Sequence, residues 1–421
     1  MAILSGGTAA GNGPQFRAAS GPDMGSAMNR TDRRIDPASR SAVEPFLAMD
    51  VLREAGQLEA QGRTIMHLEV GEPGAPPPRA AREAAIAALQ GGRVGYTEAL
   101  GLASLRARIA RHYGETYNLD VAPSRVSVTT GSSGGFISSF LALFDTGDRV
   151  AVAAPGYPAY VNILEALGCV CAPIETTAAT RFVVTADMIE AEHRRAPLKG
   201  VLLMSPANPS GVMMDADVLR EICETCDRLG IAFISDEIYH GLTYDRPAET
   251  ALRFSQSAII VNSFSKYYCM TGWRVGWLVL PEELVRTVER LQQSLAISVP
   301  YLSQLAAEAA FESRAELEAV KAGYARNRAA LMEALPKIGI ADFQPPDGAF
   351  YIYADIGCFT DDSLDFCKRM LEQAGVAATP GVDFDRARGH RTMRLSYAGS
   401  EADIAEAVRR MERWMGGKLR T

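Results

Sequence analysis

The chain has 421 residues, 48% of them apolar and 22% charged, and a formal net charge of −7. This composition fits a soluble globular protein large enough for two domains, and the mild acidity gives no reason to expect nucleic acid or an anionic membrane as partner. No apolar run is long enough to span a bilayer, and Gly6, Gly7, Gly11 and Gly13 interrupt any secretory core near the start, so a cytoplasmic location is expected.

Residues 1–42, rich in Gly, Ala, Ser and Arg without hydrophobic period, are expected to form a disordered tail. Order is expected to begin in "VEPFLAMDVLREAGQLEAQG", where Phe46, Met49, Leu52, Ala55 and Leu58 fall near helical spacing and Gly62 offers a stop. From residue 79 the text alternates. "RAAREAAIAALQ" and "GLASLRARIARHY" read as helices, "RVSVTT" as a strand, "GGFISSFLALF" as a helix and "RVAVAA" as a strand. The alternation continues through "AYVNILEALG", "CVCAPIE", a helix over 186–194, "GVLLMS", a helix over 215–229 and "IAFIS", then strands "AIIVN" and "VGWLVL". Short buried strands separated by helices predict an α/β fold with a mostly parallel sheet covered on both faces. After a polar-apolar stretch near 312–335 the texture changes, and "GAFYIYADI", "SLDFCKRMLEQAG", strands near 376 and 392–397 and "EADIAEAVRRMERWM" predict a smaller α+β unit.

Seven cysteines, an odd number without a regular framework, fit a reducing compartment. Cys223 and Cys226, in the helix "DADVLREICETCDRLG", read as core positions, since a zinc site needs four ligands and no second pair exists. The five histidines show no metal-ligand spacing, so no metal is expected.

Ligands of open α/β sheets bind at the carboxyl ends of the strands, so the polar residues just after each apolar run matter most. Gly131, Ser132 and Ser133 follow "RVSVTT" and open a helix, where free N–H groups and the helix dipole favour a phosphate, although a Gly-Ser turn is commonly just a turn. Tyr157 in "GYPAY" reads as a ring over a ligand or as packing at a loop edge. Asn208, pinned by Pro206 and Pro209, is a rigid amide or an ordinary turn residue. Asp236 ends the strand "IAFIS" directly, so its carboxylate should be withdrawn from water and need a positive partner, and Tyr239 lies three residues on. "SFSKYYCMTGWR" adds Ser263, Ser265, Lys266 and Arg274. Taken alone, Lys266 reads first as a lysine snorkelling at a strand end. Together these groups offer a phosphate site, a buried acid, a phenol, an amide, a flat ring and an amine, which is what a phosphorylated pyridine aldehyde requires.

From about residue 43 onward the chain resembles the class I/II aminotransferases, the pyridoxal 5′-phosphate enzymes of the aspartate aminotransferase fold (fold type I). The likeness is carried by "LEVGEPG", "GYTEALGLASLRARIARHY", "TTGSSGG", "PGYPAY", "SPANPSG", "SDEIYHGLTYD", "SFSKYYCMTGWRVGW" and "MRLSYA", in that order. It implies a large domain with a seven-stranded, mostly parallel sheet plus a smaller α+β domain. The expected division is a small-domain segment over 43–75, a large cofactor-binding domain over 76–315 and a C-terminal small domain over 316–421. It further implies that Lys266 bonds the cofactor aldehyde as a Schiff base and then serves as the base, and that Asp236 pairs with the pyridine nitrogen. Tyr239 and Asn208 would bond the ring hydroxyl, and Tyr157 would stack on the ring. Gly131, Ser132, Ser133, Ser263, Ser265 and Arg274 would hold the phosphate. Tyr96 would reach the phosphate of a neighbouring subunit, implying a homodimer. Arg394 would grip the substrate α-carboxylate, with Gly71 and Asn208 nearby.

Relatives specialised for dicarboxylic acids usually carry a second basic residue, either a lysine where this chain has Ser133 or an arginine in the stretch corresponding to "SLAISVPYLSQ", which has none here. With Phe46 and Leu47 offering apolar lining, a neutral or aromatic L-amino acid is the expected donor, with 2-oxoglutarate or pyruvate as acceptor. An aspartate aminotransferase, and a C–S β-lyase or cyclopropane-forming synthase of the same fold, are the alternatives. A transcription regulator of this fold would need a DNA-binding domain ahead of residue 43, for which the tail is too short and glycine-rich.

Overall fold

The computed structural model describes residues 36–416, so the expected disordered tail lies outside the described residues up to position 35. In chain order the strands are β1 (Met66–His67), β2 (Val126–Thr129), β3 (Arg149–Ala154), β4 (Val170–Glu175), β5 (Gly200–Met204) and β6 (Ala232–Asp236). They continue with β7 (Ile259–Ser263), β8 (Gly276–Val279), β9 (Tyr351–Asp355), β10 (Val376–Ala377), β11 (Thr379–Pro380) and β12 (Thr392–Ser396). Seven of them make one sheet in the order β2-β8-β7-β6-β5-β3-β4. Only β8 runs against its neighbours. The fold is thus the α/β architecture expected, with its seven-stranded, mostly parallel sheet.

The apolar runs are continuous because both faces of this sheet are buried. Successive side chains of a strand point to opposite faces, and the two cores divide accordingly. Val201, Leu203, Trp277 and Val279 join one core, whereas Leu202 and Leu278 join the other with Phe136, Phe140 and Leu164. Each such side chain, fully buried, contributes about 1.5–3 kcal/mol, so the sheet is the rigid base on which the site stands. Cys223 and Cys226 are fully buried in the first of these cores, as their helical spacing predicted.

Parallel strands place the ends of β2, β3, β5, β6 and β7, and the start of the antiparallel β8, along one edge. Gly131, Tyr157, Asn208, Asp236, Lys266 and Arg274 all follow or precede those ends in sequence. Two small sheets complete the structure: β1 beside β10, and the antiparallel β11-β12-β9, in which Arg394 lies opposite Thr379 and Tyr353. From Arg40 onward the chain packs as one compact unit. Two helices, Glu282–Leu295 and Tyr301–Ala310, occupy a region where the strand-helix alternation assigns nothing. Their start signals are Pro281 and Pro300 in the position just before each helix. No helix among the described residues is long and apolar enough to cross a membrane, and none of their His, Cys, Asp and Glu side chains group to hold a metal ion.

In β1, His67 sits between two carboxylates, 2.8 Å from Glu69 and 3.2 Å from Glu59. The hydrogen bond to Glu69 is the main cause that raises its pKa to about 9, against the opposing effect of burial. A raised folded-state value means that its stabilising contribution is complete below about 6.5 and is lost as pH rises through about 9. Between those limits wild-type protein is expected to lose thermal stability relative to His67→Gln. Melting curves of both proteins at pH 6, 7.5 and 9.5 check this, and parallel curves would refute it.

Candidate active site

A cavity of about 490 Å³ opens at the edge just described, lined among others by Gly71, Ser132, Ser133, Tyr157, Asn208, Asp236, Tyr239, Ser265, Lys266, Arg274 and Arg394. Residues separated by more than 300 positions in sequence meet here because the strand ends and β12 converge on it.

Lys266 stands in the loop between β7 and β8, and its Nζ donates to the Gly71 carbonyl. The ammonium lies 5.9 Å from the Tyr239 ring centre. Burial and the neighbouring Arg394 and Arg274 cations lower its pKa to about 8, although Glu72 and Asp236 pull the other way. A neutral amine is therefore accessible near physiological pH, the state a nucleophile or base requires.

Asp236, the last residue of β6, is 1% exposed. Its Oδ2 accepts from the Tyr160 hydroxyl and its Oδ1 from the Ile238 amide at 3.0 Å. Burial pushes its pKa up to about 7, with those hydrogen bonds and Lys266 restraining the shift. A carboxylate so placed is poised to take a cationic N–H partner, which would return it to the charged form.

The anion cradle is built at the N-terminus of the helix Gly131–Leu143, which brings Ser132 and Ser133 to the cavity. Gly131 has φ +71°, and a Cβ there would meet the Arg274 guanidinium at 2.5 Å. The glycine is what lets Arg274 lie across the helix terminus. Arg274 itself adopts φ +51°, a strained region for a residue with a side chain, and its Nη1 donates to the Thr271 carbonyl at 2.9 Å. Free N–H groups, two serines from the first turn of the helix, Ser265 from the loop after β7 and a guanidinium make a receptor for a phosphate dianion.

Two expected site residues are placed otherwise, and Tyr96, expected to serve a neighbouring subunit, lies outside this cavity. Ser263 does not line the cavity: it is 1% exposed, and its hydroxyl faces Ser265 Oγ at 2.8 Å and the Val275 carbonyl at 3.1 Å, so it braces Ser265 from behind. Gly131 lies beneath Arg274 rather than on the cavity wall. Tyr96 is 82% exposed and lines a separate groove of about 970 Å³, together with Trp273 and Tyr301. Leu47 also turns away: its amide donates to Asp383 Oδ1 at 2.8 Å, while Phe46, Ala48 and Met49 form the wall.

The structure adds residues not singled out from the sequence. Tyr160 holds Asp236, and its place three positions after Tyr157 at the start of a helix was the available signal. Tyr351 bonds the Tyr239 hydroxyl at 2.7 Å and stacks under the Arg394 guanidinium at 4.5 Å. Tyr157 packs edge-on against Phe46 and Tyr160, with centroids 5.8 and 5.3 Å apart. Arg394 is 2% exposed. Its Nη1 donates to Asn208 Oδ1 at 3.0 Å, and its Nη2 donates to Thr379 Oγ1 at 3.1 Å and to the Glu69 carbonyl. Its buried Nε has no partner among the described residues. A buried cation whose hydrogen-bond acceptors are neutral oxygens is costly and is a ready receptor for a carboxylate.

A buried amine, a buried acid and an anion cradle facing one cavity of an α/β sheet are groups suited to group transfer on a phosphorylated ligand. The chain belongs to the aminotransferase class I and II family, whose model matches residues 63–411. It is 47% identical over 382 residues, covering 90% of this chain and 98% of the relative, to the valine–pyruvate aminotransferase of Mycobacterium tuberculosis. Its fold superposes on the crystal structure of an aminotransferase from M. tuberculosis with a TM-score of 0.89 at 46% identity, covering 91% of this chain and all of that one. An aspartate aminotransferase from Thermus thermophilus with maleate gives a TM-score of 0.84 at 32% identity, covering 90% of this chain and all of that chain. The protein is an aminotransferase, acting between amino acids and 2-oxo acids, and enzymes of this family depend on pyridoxal 5′-phosphate.

Proposed function

We propose that the enzyme moves an amino group from a small neutral L-amino acid, valine foremost, to pyruvate or a similar 2-oxo acid, with pyridoxal 5′-phosphate held in the 490 Å³ cavity. The residues fit that cofactor. Lys266 would bond its aldehyde, Asp236 its ring nitrogen, Asn208 and Tyr239 its hydroxyl, and Tyr157 would cover its ring. Ser132, Ser133, Ser265 and Arg274 would take its phosphate. Once bound, the cofactor supplies an electron sink for the charge left when the substrate Cα is deprotonated.

The protein's share is acid-base work and orientation. Asp236 keeps the ring nitrogen protonated, because an adjacent buried anion favours the cation. Tyr160 fixes the carboxylate in place for this. Lys266, with its lowered pKa, takes the proton from the substrate Cα and delivers it on the other side of the transfer. Arg394 receives the α-carboxylate on its guanidinium, and so sets which bond to Cα stands free to break.

The choice of donor rests on one observation. Three basic side chains line the cavity, Lys266, Arg274 and Arg394, and the cofactor aldehyde, its phosphate and the substrate α-carboxylate would occupy all three. None remains for a side-chain carboxylate, whereas Phe46, Met49, Val70, Met204 and Ile238 offer an apolar wall. The name of the M. tuberculosis relative agrees with this reading. With pyruvate as acceptor, valine and similar neutral donors are expected to exceed aspartate in kcat/KM by at least about 100-fold. A donor panel run with both pyruvate and 2-oxoglutarate checks it, and a strict aspartate preference would overturn it. The same reading takes the working enzyme as a homodimer in which Tyr96 serves the neighbouring site, which the exposure of Tyr96 at 82%, Val94 at 47% and Ile297 at 50% supports.

A further inference from the structure

We propose that His67 and Glu69 form a positioning pair for Arg394, fixing the angle at which its guanidinium receives the substrate carboxylate. The inference rests on Arg394 as the carboxylate receptor. Neither His67 nor Glu69 lines the cavity, so they act through Arg394 and are not catalytic residues.

The strand ends at His67 and the chain bends at Glu69, yet the two side chains meet, with His67 Nδ1 2.8 Å from Glu69 Oε1. Glu69 is fully buried, and its Oε2 has no partner among the described residues. A carboxylate stripped of water needs a cation beside it. His67 is the cation in contact with it, drawn also toward Glu59 on the helix Leu47–Ala60.

The backbone of the same residue does the positioning. The Glu69 carbonyl accepts from Arg394 Nη2 and, at 2.9 Å, from Thr379 Oγ1, which uses both its lone pairs. On one side Leu68 is fixed to two strands, its amide donating to the Ala377 carbonyl at 3.0 Å and its carbonyl accepting from the Ser396 amide at 2.7 Å. On the other side Gly71 accepts from Lys266. Glu69 is the point where a side-chain anchor and the guanidinium meet on one residue. Without His67 the buried carboxylate must swing toward water, and that rotation carries its carbonyl off Nη2 and frees the guanidinium to tilt.

The test uses the holoenzyme and two probes that split the substrate in half. 3-Methylbutanoate carries the carboxylate without the amine and is read as a competitive inhibitor. 2-Methylpropylamine carries the amine without the carboxylate and is read by the cofactor absorbance. His67→Leu is expected to weaken 3-methylbutanoate by about 10- to 100-fold, as small misplacements of a binding group do. The amine should stay within about twofold, the scatter of independent effects. Adding Glu69→Met to that variant removes the unpaired charge and should restore most of the carboxylate affinity. If His67→Leu does not fold, His67→Gln, which keeps a polar side chain but no cation, is read on the same probes and should weaken 3-methylbutanoate alone. Equal effects on both probes, no effect, or no recovery in the double variant would overturn the pair's role. Arg394→Gln is the control: if it leaves 3-methylbutanoate unaffected, the carboxylate receptor itself has been misassigned and the inference falls with it.

Discussion

Lys266→Ala is expected to lower kcat for transamination by at least about four orders of magnitude, the upper range for loss of a positioned general base, while leaving the fold intact. The expectation follows from the depressed amine described above. Lys266 is the amine lining the cavity, and its neighbours are two arginines, a carbonyl, a phenol ring and the carboxylates of Glu72 and Asp236, of which Asp236 is held by Tyr160 and Ile238. A carboxylate is a far weaker base toward carbon than a neutral amine. Burial disfavours its charge, so removal relieves a desolvation cost rather than breaking a support, and the melting temperature of the apoprotein should hold or rise. Stopped-flow turnover and a melting curve on one preparation separate the outcomes. Turnover within tenfold of wild type would refute the role, and a collapsed melting curve would make the lysine structural.

Asp236→Asn carries the second large effect. The amide keeps the shape but has a single acceptor oxygen, so it keeps the bond from the Ile238 amide or the one from the Tyr160 hydroxyl and not both, and it cannot hold a cation. Loss of one partner from a buried charge pair costs about 3–5 kcal/mol, which corresponds to roughly 10²- to 10⁴-fold in rate. The apoprotein should respond in the opposite direction. A carboxyl group whose folded pKa is raised from 3.8 to about 7 destabilises the fold as pH rises through that window. The asparagine variant should therefore melt above wild type at pH 8 without cofactor and below it, or level with it, when loaded. Melting curves at pH 5 and 8, with and without pyridoxal 5′-phosphate, check the sign. An unchanged rate would remove Asp236 from the mechanism. Function here is opposed to stability: the site holds an anion the fold would rather not bury.

Much of this was readable before any coordinates. A buried parallel sheet has a period-independent apolar signature, so "GVLLMS", "IAFIS" and "AIIVN" announced themselves, and the rule that ligands gather at strand ends then singled out Asp236, Asn208 and Lys266. What failed to show was direction. Ser263 and Ser265 are two apart and look equivalent on paper, yet Ser263 ends β7 facing the Val275 carbonyl whereas Ser265 has left the strand and meets the cavity. Tyr160 and Tyr351 resembled core aromatics because they are that as well, being 4% and 1% exposed. Only the approach of another chain segment gave their hydroxyls a task. The helix Glu282–Leu295 carries apolar positions at helical spacing behind Pro281, but it follows two consecutive strands and so falls outside the strand-helix alternation.

Asp383 has a consequence for how selectivity could be altered. Its carboxylate receives the amides of Leu47 and Ala48 at 2.8 and 3.3 Å, so the short wall Phe46–Met49 hangs from the turn that joins β11 to β12, the strand carrying Arg394. The part that judges the side chain is tethered to the part that grips the carboxylate, while the amine and acid that perform the chemistry ride on the other sheet. An engineer could exchange Phe46, Ala48 and Met49 together as a cartridge, leaving the reactive half of the enzyme untouched.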